Sequence, residues 1–380
     1  ESSFAGVSAS GELVPSVMSS YSRLNINPVP VAGPSVWSAE TLRARPDWLI
    51  ELTAVQSQEI VDSAERALAL CDGDLTRLTR FQFVLPTLGR RFQALRHELL
   101  HGAGFLQLRG LVTDGRSREL TATAFWGIGL HIGGDAVASQ NRHGHLLGHV
   151  TNLGESRDNV AQRGPYSNER IPFHVDCCDV VGLMCLAPAR SGGESSIVNS
   201  GFLFNEMLQR KPRLAAALMQ PVYRDRRDEV PAGKQPWYAL PVFNQYAGLM
   251  SVSIEPTYIG SVARHFDGTD PHTDTQLEGI EYAQALADEL HVDIDFEPGD
   301  IQFVHNHVIM HSRKAFEDDP AAPRHLLRLW LLARDGRPLP DCFYGRMGDR
   351  ATIARPGGIF AGDTRTNVPY FSQRELNARP

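Results

Sequence analysis

The stretch RGPYSNERIPFHVDCCDVVGLMCLAP, residues 163–188, carries a polar loop directly into an apolar run. The run at 180–188 predicts a buried strand, and His174 and Asp176 lie where the loop meets it. In an extended chain, residues i and i+2 face the same side, so both side chains can reach one ion. The stretch therefore predicts two ligands of a metal site at the mouth of a β-structure.

The His-x-Asp spacing is not specific, because it occurs four times. Two further pairs lie in RHFDGTDPHTDT, residues 264–275, where Asp-Gly and Asp-Pro dipeptides indicate a solvated, turn-rich loop. The last pair follows a helical pattern and precedes the Pro298-Gly299 turn, where no metal is needed to explain it. These three pairs are His265/Asp267, His272/Asp274 and His291/Asp293. The loop-to-strand position favours His174 and Asp176 over them.

The rest of the chain predicts many short strands with helices gathered near one end. Apolar runs at 104–111, 145–153, 180–188, 195–200, 248–254, 301–311 and 325–333 predict strands. Helical spacing appears between 38 and 104, over 121–126, and over 275–290, where Thr275 and Glu278 form a capping-box pattern. The pattern predicts a mainly β fold with helical flanks (α+β), as a β-sandwich or jelly roll.

The predicted organisation is a single catalytic domain with two extensions. Residues 1–35 predict an extended N-terminal arm, and residues 341–380 predict a C-terminal tail or lid. Between them, 36–103 forms the helical part and 104–340 the jelly-roll core. Gln140, Asn141 and the loop 166–170 are candidate pocket walls.

Composition excludes several classes of function. The net charge is -7, with 37 basic and 44 acidic residues and no long basic run, so no nucleic-acid partner is expected. No apolar stretch of about 18 residues predicts a membrane span. The five cysteines are odd in number and lack CxxC spacing, which is typical of a reducing, cytoplasmic location. Cys177 and Cys178 adjoin the metal pair and are interpreted as packing residues.

A third ligand must come from far along the chain. His305, His307 and His311 all lie in the predicted strand at 301–311. Two imidazoles and one carboxylate leave three positions of an octahedral ion open, which is the arrangement of non-haem Fe(II) oxygenases. Residues 104–334 resemble the TauD/TfdA-like, clavaminate-synthase-like dioxygenase family through His174-Val-Asp176, the Pro298-Gly-Asp300 turn and His311-Ser-Arg313. The resemblance implies a double-stranded β-helix core and makes His311 the third ligand.

The resemblance also implies a site for 2-oxoglutarate. The family places an arginine after its second histidine to bind the distal carboxylate, and Arg324 and Arg328 stand at that spacing. A guanidinium suits this task because its planar fork matches a carboxylate and keeps its charge. We favour Arg324 for 2-oxoglutarate and leave Arg328 to assist it or to bind substrate. Gly192-Gly193-Glu194-Ser195 resembles the family's Gly-Gly-x-Thr stretch, which makes Ser195 a further candidate for the same carboxylate.

The implied reaction uses Fe(II), 2-oxoglutarate and O2, and it oxidises a small-molecule substrate with release of succinate and CO2. Asp176 retains the carboxylate that halogenases of this superfamily replace, so hydroxylation, desaturation or oxidative ring closure is expected. An amino acid or a related small acid is a candidate substrate. The alternative is a cupin-like protein that binds a metal or ligand without turnover. A zinc hydrolase is disfavoured because the chain has no His-Glu-x-x-His.

Overall fold

The computed structural model describes residues 27–155, 164–346, 353–362 and 364–377. Most of the predicted N-terminal arm lies outside these ranges. The division into an arm, a catalytic domain and a C-terminal tail therefore stays a prediction.

Seventeen strands are present in the described residues, and six of them fall within predicted runs at 104–111, 145–153, 180–188, 195–200, 248–254 and 325–333. The strands are β1 Leu49–Glu51, β2 Phe105–Arg109, β3 Ala136–Val137, β4 Leu147–Thr151, β5 Ile171–His174, β6 Val180–Ala187, β7 Ser191–Gly192, β8 Ser195–Asn199, β9 Val222–Asp225, β10 Trp237–Leu240, β11 Phe243–Tyr246, β12 Leu249–Val252, β13 Val292–Ile294, β14 Ile301–His305, β15 Ile309–Arg313, β16 Phe316–Glu317 and β17 His325–Leu332.

Ten α-helices accompany the strands within the described ranges. They are α1 Ala39–Arg43, α2 Ala54–Leu70, α3 Gly89–His101, α4 Arg118–Ile132, α5 Ser200–Arg210, α6 Pro212–Ala217, α7 Pro256–Gly260, α8 Asp274–Leu290, α9 Asp341–Tyr344 and α10 Gln373–Asn377. The predicted helix at 121–126 is the centre of α4. None of the described helices is long and apolar enough to cross a bilayer.

Two sheets form the centre of the fold. The larger has the order β1-β2-β14-β6-β17-β3, with β4 also paired to β17, and the smaller has the order β13-β8-β15-β5. Every pairing in these two sheets is antiparallel except that of β1 with β2. The sheets do not close into a barrel in the described residues, and the jelly-roll, α+β expectation is confirmed.

The sheets are covered by helices on their outer faces and share an apolar layer between them. Helices α2, α3 and α4 pack with the outer face of the larger sheet, and α5, α6 and α8 pack with that of the smaller. The layer between the sheets contains Val181 and Val304 from one sheet and Ile197 and Ile309 from the other. The molecule therefore has four layers, helix–sheet–sheet–helix, and an enclosed central space.

Strand alternation decides which side chains reach that space. In β17, Leu327 and Leu329 pack against the helices, whereas Trp330 belongs to the layer between the sheets. Successive side chains of a strand point to opposite faces, so Arg328 points inward with Trp330. In β15, Met310 faces the outer helices, and His311 therefore points inward. The polar side chains of the inner face are thus fixed by the same alternation that builds the core.

The expectation of one strand over 301–311 is wrong. The run contains β14 and β15, which belong to different sheets and are joined by a turn at 306–308. Val308 N donates to His305 O at 2.9 Å and closes this turn. The turn contains the polar residues Asn306 and His307, but both are buried like the strands on either side, so the sequence alone gives no reason to expect a break there.

The predicted start of the helix at 275–290 is displaced by two residues. Helix α8 begins at Asp274 with Thr273 as its N-cap, and the capping box joins Thr273 to Gln276 rather than Thr275 to Glu278. Both frames place a hydroxyl three residues before a Gln or Glu, so the sequence pattern alone cannot choose between them.

Candidate active site

Three side chains that are distant in sequence meet between the sheets. His174 ends β5, His311 lies opposite it in β15, and Asp176 follows β5 by two residues. One ligand atom from each lies within 4.8 Å of the other two. The imidazole centroids are 4.3 Å apart, and His311 Nε2 is 3.7 Å from Asp176 Oδ2. The structure brings together all three residues predicted as metal ligands.

Asp176 reaches this position through a turn and not through strand alternation, which corrects the reasoning from sequence. Strand β5 ends at His174, and Cys178 N donates to Asp176 O at 2.9 Å. The Asp176 N–H in turn donates to Asn306 Oδ1 at 3.2 Å. The turn after His174 and the turn at 306–308 are therefore hydrogen-bonded to each other, and together they orient the carboxylate.

The hydrogen bonding of one imidazole and the burial of the other suit metal binding. His174 Nδ1 lies 2.9 Å from Pro172 O, and because a carbonyl only accepts, Nδ1 carries a proton and Nε2 is the nitrogen available to a metal. Burial and the neighbouring His174 lower the pKa of His311 to about 3. A neutral imidazole is the form that binds a metal.

Asp176 is held in its ionised form. Burial acts to raise its pKa, but Arg328, His311 and His174 outweigh burial and lower the pKa below the usual range. The carboxylate is thus ready to bind a cation at neutral pH.

Arg328 lies beside the metal position. Its Nη1 is 3.5 Å from Asp176 Oδ1, its Nε donates to Gln140 Oε1 at 2.8 Å, and its guanidinium lies 5.1 Å from the Trp330 ring centroid. Gln140, a candidate pocket wall, instead orients this arginine. Asn141 accepts backbone N–H groups of its own loop through Oδ1.

Arg324 is buried immediately before β17. Its Nη2 donates to Gly193 O at 3.2 Å, and its guanidinium lies 5.1 Å from the Phe316 ring centroid. Burial lowers its pKa to about 10, so it remains charged at pH 7. Ser195 is also buried, and its hydroxyl donates to Gln302 Oε1 at 2.9 Å across the two sheets. Arg324 therefore contacts the backbone of Gly193, two residues before Ser195.

A cavity of about 140 Å3 adjoins the metal position. His174, Asp176 and Arg328 line it on one side. Of the candidate wall at 166–170, only its flanking residues Pro165 and Ile171 line the cavity. The C-terminal segment contributes Pro356, Gly357 and Ile359, and Gly358 N donates to Cys177 O at 2.7 Å.

The two alternative third ligands lie elsewhere. His305 is fully buried, and neither ring nitrogen has a hydrogen-bond partner among the described residues. His307 lines the cavity, but its Nε2 lies 3.0 Å from Asp179 Oδ1. Neither joins the group formed by His174, Asp176 and His311.

The other His-x-Asp pairs have local partners. His265 Nε2 contacts Asp225, His272 bridges Asp270 and Tyr223 O, and His291 Nδ1 contacts Asp288 O. His272 is buried, so the expectation that its loop is solvated is wrong at that position.

A second group with metal-ligand atoms within 4.8 Å consists of His149, His325 and Glu375. His149 Nδ1 lies 2.8 Å from His325 Nε2, and Glu375 pairs with Arg118 at 2.7 Å. Glu375 Oε1 also lies 3.9 Å from His325 Nδ1, so these contacts tie α10 to α4 and to β17. None of the three lines the cavity.

Residues 73–330 match the family described as taurine catabolism dioxygenase TauD, TfdA. The chain belongs to the TauD/TfdA dioxygenase family. FR-33289 synthase of Streptomyces rubellomurinus is 30% identical over 348 residues, which cover 86% of this chain and 97% of that protein.

Solved structures agree in fold. Asparagine oxygenase in complex with Fe(II), 2S,3S-3-hydroxyasparagine and succinate has a TM-score of 0.57 at 18% identity, covering 75% of this chain and 93% of its own. The non-haem iron oxygenase OrfP, solved with Fe and alpha-ketoglutaric acid, has a TM-score of 0.55 at 18% identity, covering 75% and 94%. This TauD/TfdA-family chain is an Fe(II)- and 2-oxoglutarate-dependent dioxygenase of a small molecule, and the expected cofactors are confirmed.

Buried polar atoms without partners test whether this family member fits those cofactors. Within the described residues, Asp176 Oδ2, Gln302 Nε2 and Arg324 Nη1 are buried and make no hydrogen bond. Leaving such a group unpaired costs about 1–3 kcal/mol, and more if it is charged. One acceptor beside two imidazoles suits a cation, and two donors beside Gly193 and Ser195 suit a carboxylate. The residues present fit both Fe(II) and 2-oxoglutarate.

Several residues of this site escaped the sequence reasoning. Gln302 and Trp330 each lie two residues from an inward-facing neighbour, Val304 and Arg328, so period-two alternation could have found them. Asn306 carried no signal, because its role depends on a turn that the sequence did not reveal.

Proposed function

We propose that His174, Asp176 and His311 hold the iron, that Arg324 binds the distal carboxylate of 2-oxoglutarate, and that the substrate occupies the adjoining cavity. The observation that carries the proposal is the convergence of two imidazoles and one ionised carboxylate beside a cavity. The bound Fe(II) and 2-oxoglutarate supply the activation of O2, with conversion of 2-oxoglutarate to succinate and CO2.

The chain's own residues position and insulate the reaction. Arg324 offers a free, buried donor to a carboxylate, and Ser195 with Gln302 supports the same pocket. Arg328, fixed by Gln140, keeps Asp176 ionised. Enclosure between the sheets excludes water from the oxidised carbon.

We propose hydroxylation, desaturation or oxidative ring closure of a small anionic molecule. Asp176 occupies the carboxylate position, which favours these outcomes over halogenation. Asparagine oxygenase is named for an amino acid, and an amino acid or related acid is one candidate substrate here. The five free cysteines support a cytoplasmic location.

The test is anaerobic addition of Fe(II) and 2-oxoglutarate, monitored by visible absorption, and then admission of O2 with measurement of succinate release. The wild-type protein should give the weak charge-transfer band of an Fe(II)–2-oxoglutarate complex. His174→Ala and His311→Ala should abolish it. His291→Gln, which changes another His-x-Asp pair, should retain it. A band that survives in both alanine variants would overturn the assignment.

A further inference from the structure

The turn that carries Asp176 is anchored by a buried carboxylate three residues further along the chain. Asp179 has no exposed surface, and both of its side-chain oxygens accept hydrogen bonds. Oδ1 accepts from His307 Nε2 at 3.0 Å, and Oδ2 accepts from Ala333 N at 2.9 Å, just after β17. The backbone oxygen of Asp179 accepts from Asn306 N at 2.9 Å. Asp179 therefore joins its own turn to the turn that contains Asn306 and His307, and to the larger sheet.

Arg355 supplies the positive charge that balances Asp179. Its Nε lies 3.0 Å from Asp179 Oδ1 and 2.9 Å from Oδ2, and its Nη2 also donates to Oδ1. Its Nη1 donates to Arg337 O at 2.8 Å, which fixes the guanidinium from the other side. Removing one partner of a buried ion pair leaves an uncompensated buried charge. The position of Asp179 therefore depends on Arg355.

The C-terminal strap, as we call residues 355–359, also approaches this turn through its backbone. Gly358 N donates to Cys177 O at 2.7 Å. A Cβ added at Gly357 would lie 3.2 Å from the same oxygen, which is closer than ordinary van der Waals contact, so glycine permits this approach. The strap is attached to the turn both by a side chain and by its backbone.

The attachment reaches Asp176 through Asn306. The Asn306 N–H donates to Asp179 O, and Asn306 Oδ1 accepts from the Asp176 N–H at 3.2 Å. Within the turn, Cys178 N donates to Asp176 O at 2.9 Å. A continuous path of ion pair and hydrogen bonds therefore leads from Arg355 through Asp179 and Asn306 to Asp176.

The strap also belongs to the wall of the cavity beside the metal position. Pro356, Gly357 and Ile359 line this cavity, and Ile359 packs in the apolar layer between the sheets. The segment that closes one side of the cavity is therefore the segment that holds the turn of Asp176.

We propose that Arg355 is a positioning residue of the iron site, which acts through Asp179 to orient Asp176 and to hold the C-terminal strap against the cavity. This inference rests on the proposed function, because it concerns the same metal site. Groups that orient metal ligands typically contribute about 10–100-fold to metal affinity. Arg355 acts through intermediate residues, so its loss should weaken Fe(II) binding by about tenfold, at the lower end of that range.

The test is anaerobic titration of the full chain, freed of metal by a chelator, with Fe(II) at saturating 2-oxoglutarate, followed by the visible band. Arg355→Gln should raise the Kd of Fe(II) about tenfold. The matched control is Arg109→Gln, because Arg109 of β2 forms a similar ion pair with the buried Asp300, with Nη2 2.7 Å from Oδ2. The control should lose stability but keep the Kd within about threefold, well below the effect of a group that orients a ligand. An increase in Arg355→Gln no larger than that in Arg109→Gln would overturn the proposal.

Two further variants separate positioning from a general loss of stability, at a temperature where circular dichroism shows each variant folded. Arg355→Lys keeps the charge but loses the planar fork, and should recover part of the affinity. If Arg355→Gln does not fold, Arg355→Lys is compared with Arg109→Lys, and an equal Kd in the two would overturn the proposal.

The double variant Asp179→Asn/Arg355→Gln tests the path. It should bind Fe(II) no more weakly than the weaker single variant, because residues that act together are not additive. Additive losses would refute the action of Arg355 through Asp179. Absence of the band in the wild-type protein would instead refute the proposed function.

Discussion

Replacing Arg324 tests how the protein holds 2-oxoglutarate. Its guanidinium is buried, stacks beside Phe316, and has one Nη1 atom without a partner among the described residues. Arg324→Gln removes the charge but keeps an amide of similar reach. The change should therefore weaken 2-oxoglutarate binding without removing the metal ligands.

The magnitude follows from the bonds lost. Hydrogen bonds to a charged group contribute about 1.5–3 kcal/mol each, and a guanidinium fork makes two with a carboxylate. A loss of about 3–5 kcal/mol corresponds to a rise in Kd of roughly 10²–10³-fold, since 1.4 kcal/mol is tenfold. Arg324→Lys should recover part of the affinity, because it keeps the charge and loses the fork.

The assay is anaerobic titration of the Fe(II) protein with 2-oxoglutarate, followed by the visible band. Arg328→Gln provides the comparison, because that side chain faces Asp176 and Gln140 instead. It should change the Kd of 2-oxoglutarate by less than about tenfold, well below the effect of two charged bonds. A larger loss in Arg328→Gln than in Arg324→Gln would show that the two roles are reversed.

Three further substitutions probe the surrounding structure. Gly193→Ala should raise the KM for 2-oxoglutarate about tenfold, because the new Cβ would lie 3.0 Å from Arg324 Nε and the backbone φ is +77°. The control is Gly154→Ala, which also has a positive φ but open space around the new Cβ, and which should lose only about 1 kcal/mol of stability to backbone strain. Asp179→Asn should lower the free energy of unfolding by about 3–5 kcal/mol in urea titrations, because it breaks the buried pair with Arg355. Burial would raise the pKa of Asp179, but hydrogen bonds from His307 and Arg355 lower it. The contribution of Asp179 to the free energy of unfolding is therefore full above the unfolded pKa of about 3.9 and is lost as the pH falls through the lower folded value. A stability difference between wild type and variant that grew toward low pH would contradict this. Asp300→Ala should cost about 2–4 kcal/mol, since Asp300 accepts from Arg109, Gln107 and Glu297 N, while the Kd of 2-oxoglutarate at low temperature stays within threefold.

The sequence predicted those parts of the fold that depend on the hydrophobicity of neighbouring residues. The run at 180–188 is apolar throughout and became β6, and that at 325–333 became β17. The break within 301–311 was missed because Asn306 and His307 are polar residues buried by their contacts with Asp176 and Asp179. Such contacts join residues about 130 positions apart, and no local pattern contains them.

The predicted metal ligands His174 and Asp176 were chosen on the premise of a continuing strand, yet the chain turns after His174. Their side chains still lie close together, because a turn, like a strand, keeps residues i and i+2 near each other. The position of Arg346 in the cavity wall could not be predicted in this way, because its guanidinium contacts Tyr238, which is about a hundred residues away in the sequence.

The two halves of the site are built by different parts of the chain, and this division has a functional consequence. The predicted metal ligands and both candidate arginines for 2-oxoglutarate lie in or beside strands of the two central sheets, where alternation and the turn after His174 fix their direction. The cavity residues Tyr238 and Tyr258 lie in β10 and α7, and Arg346, which also lines the cavity, follows α9, beyond the residues 73–330 that match the family. Oxidising chemistry depends on rigid inner faces, whereas substrate choice depends on segments packed around them. Substitutions of the cavity residues Tyr238 and Tyr258 should therefore change which molecule is oxidised while leaving the Fe(II)–2-oxoglutarate complex intact.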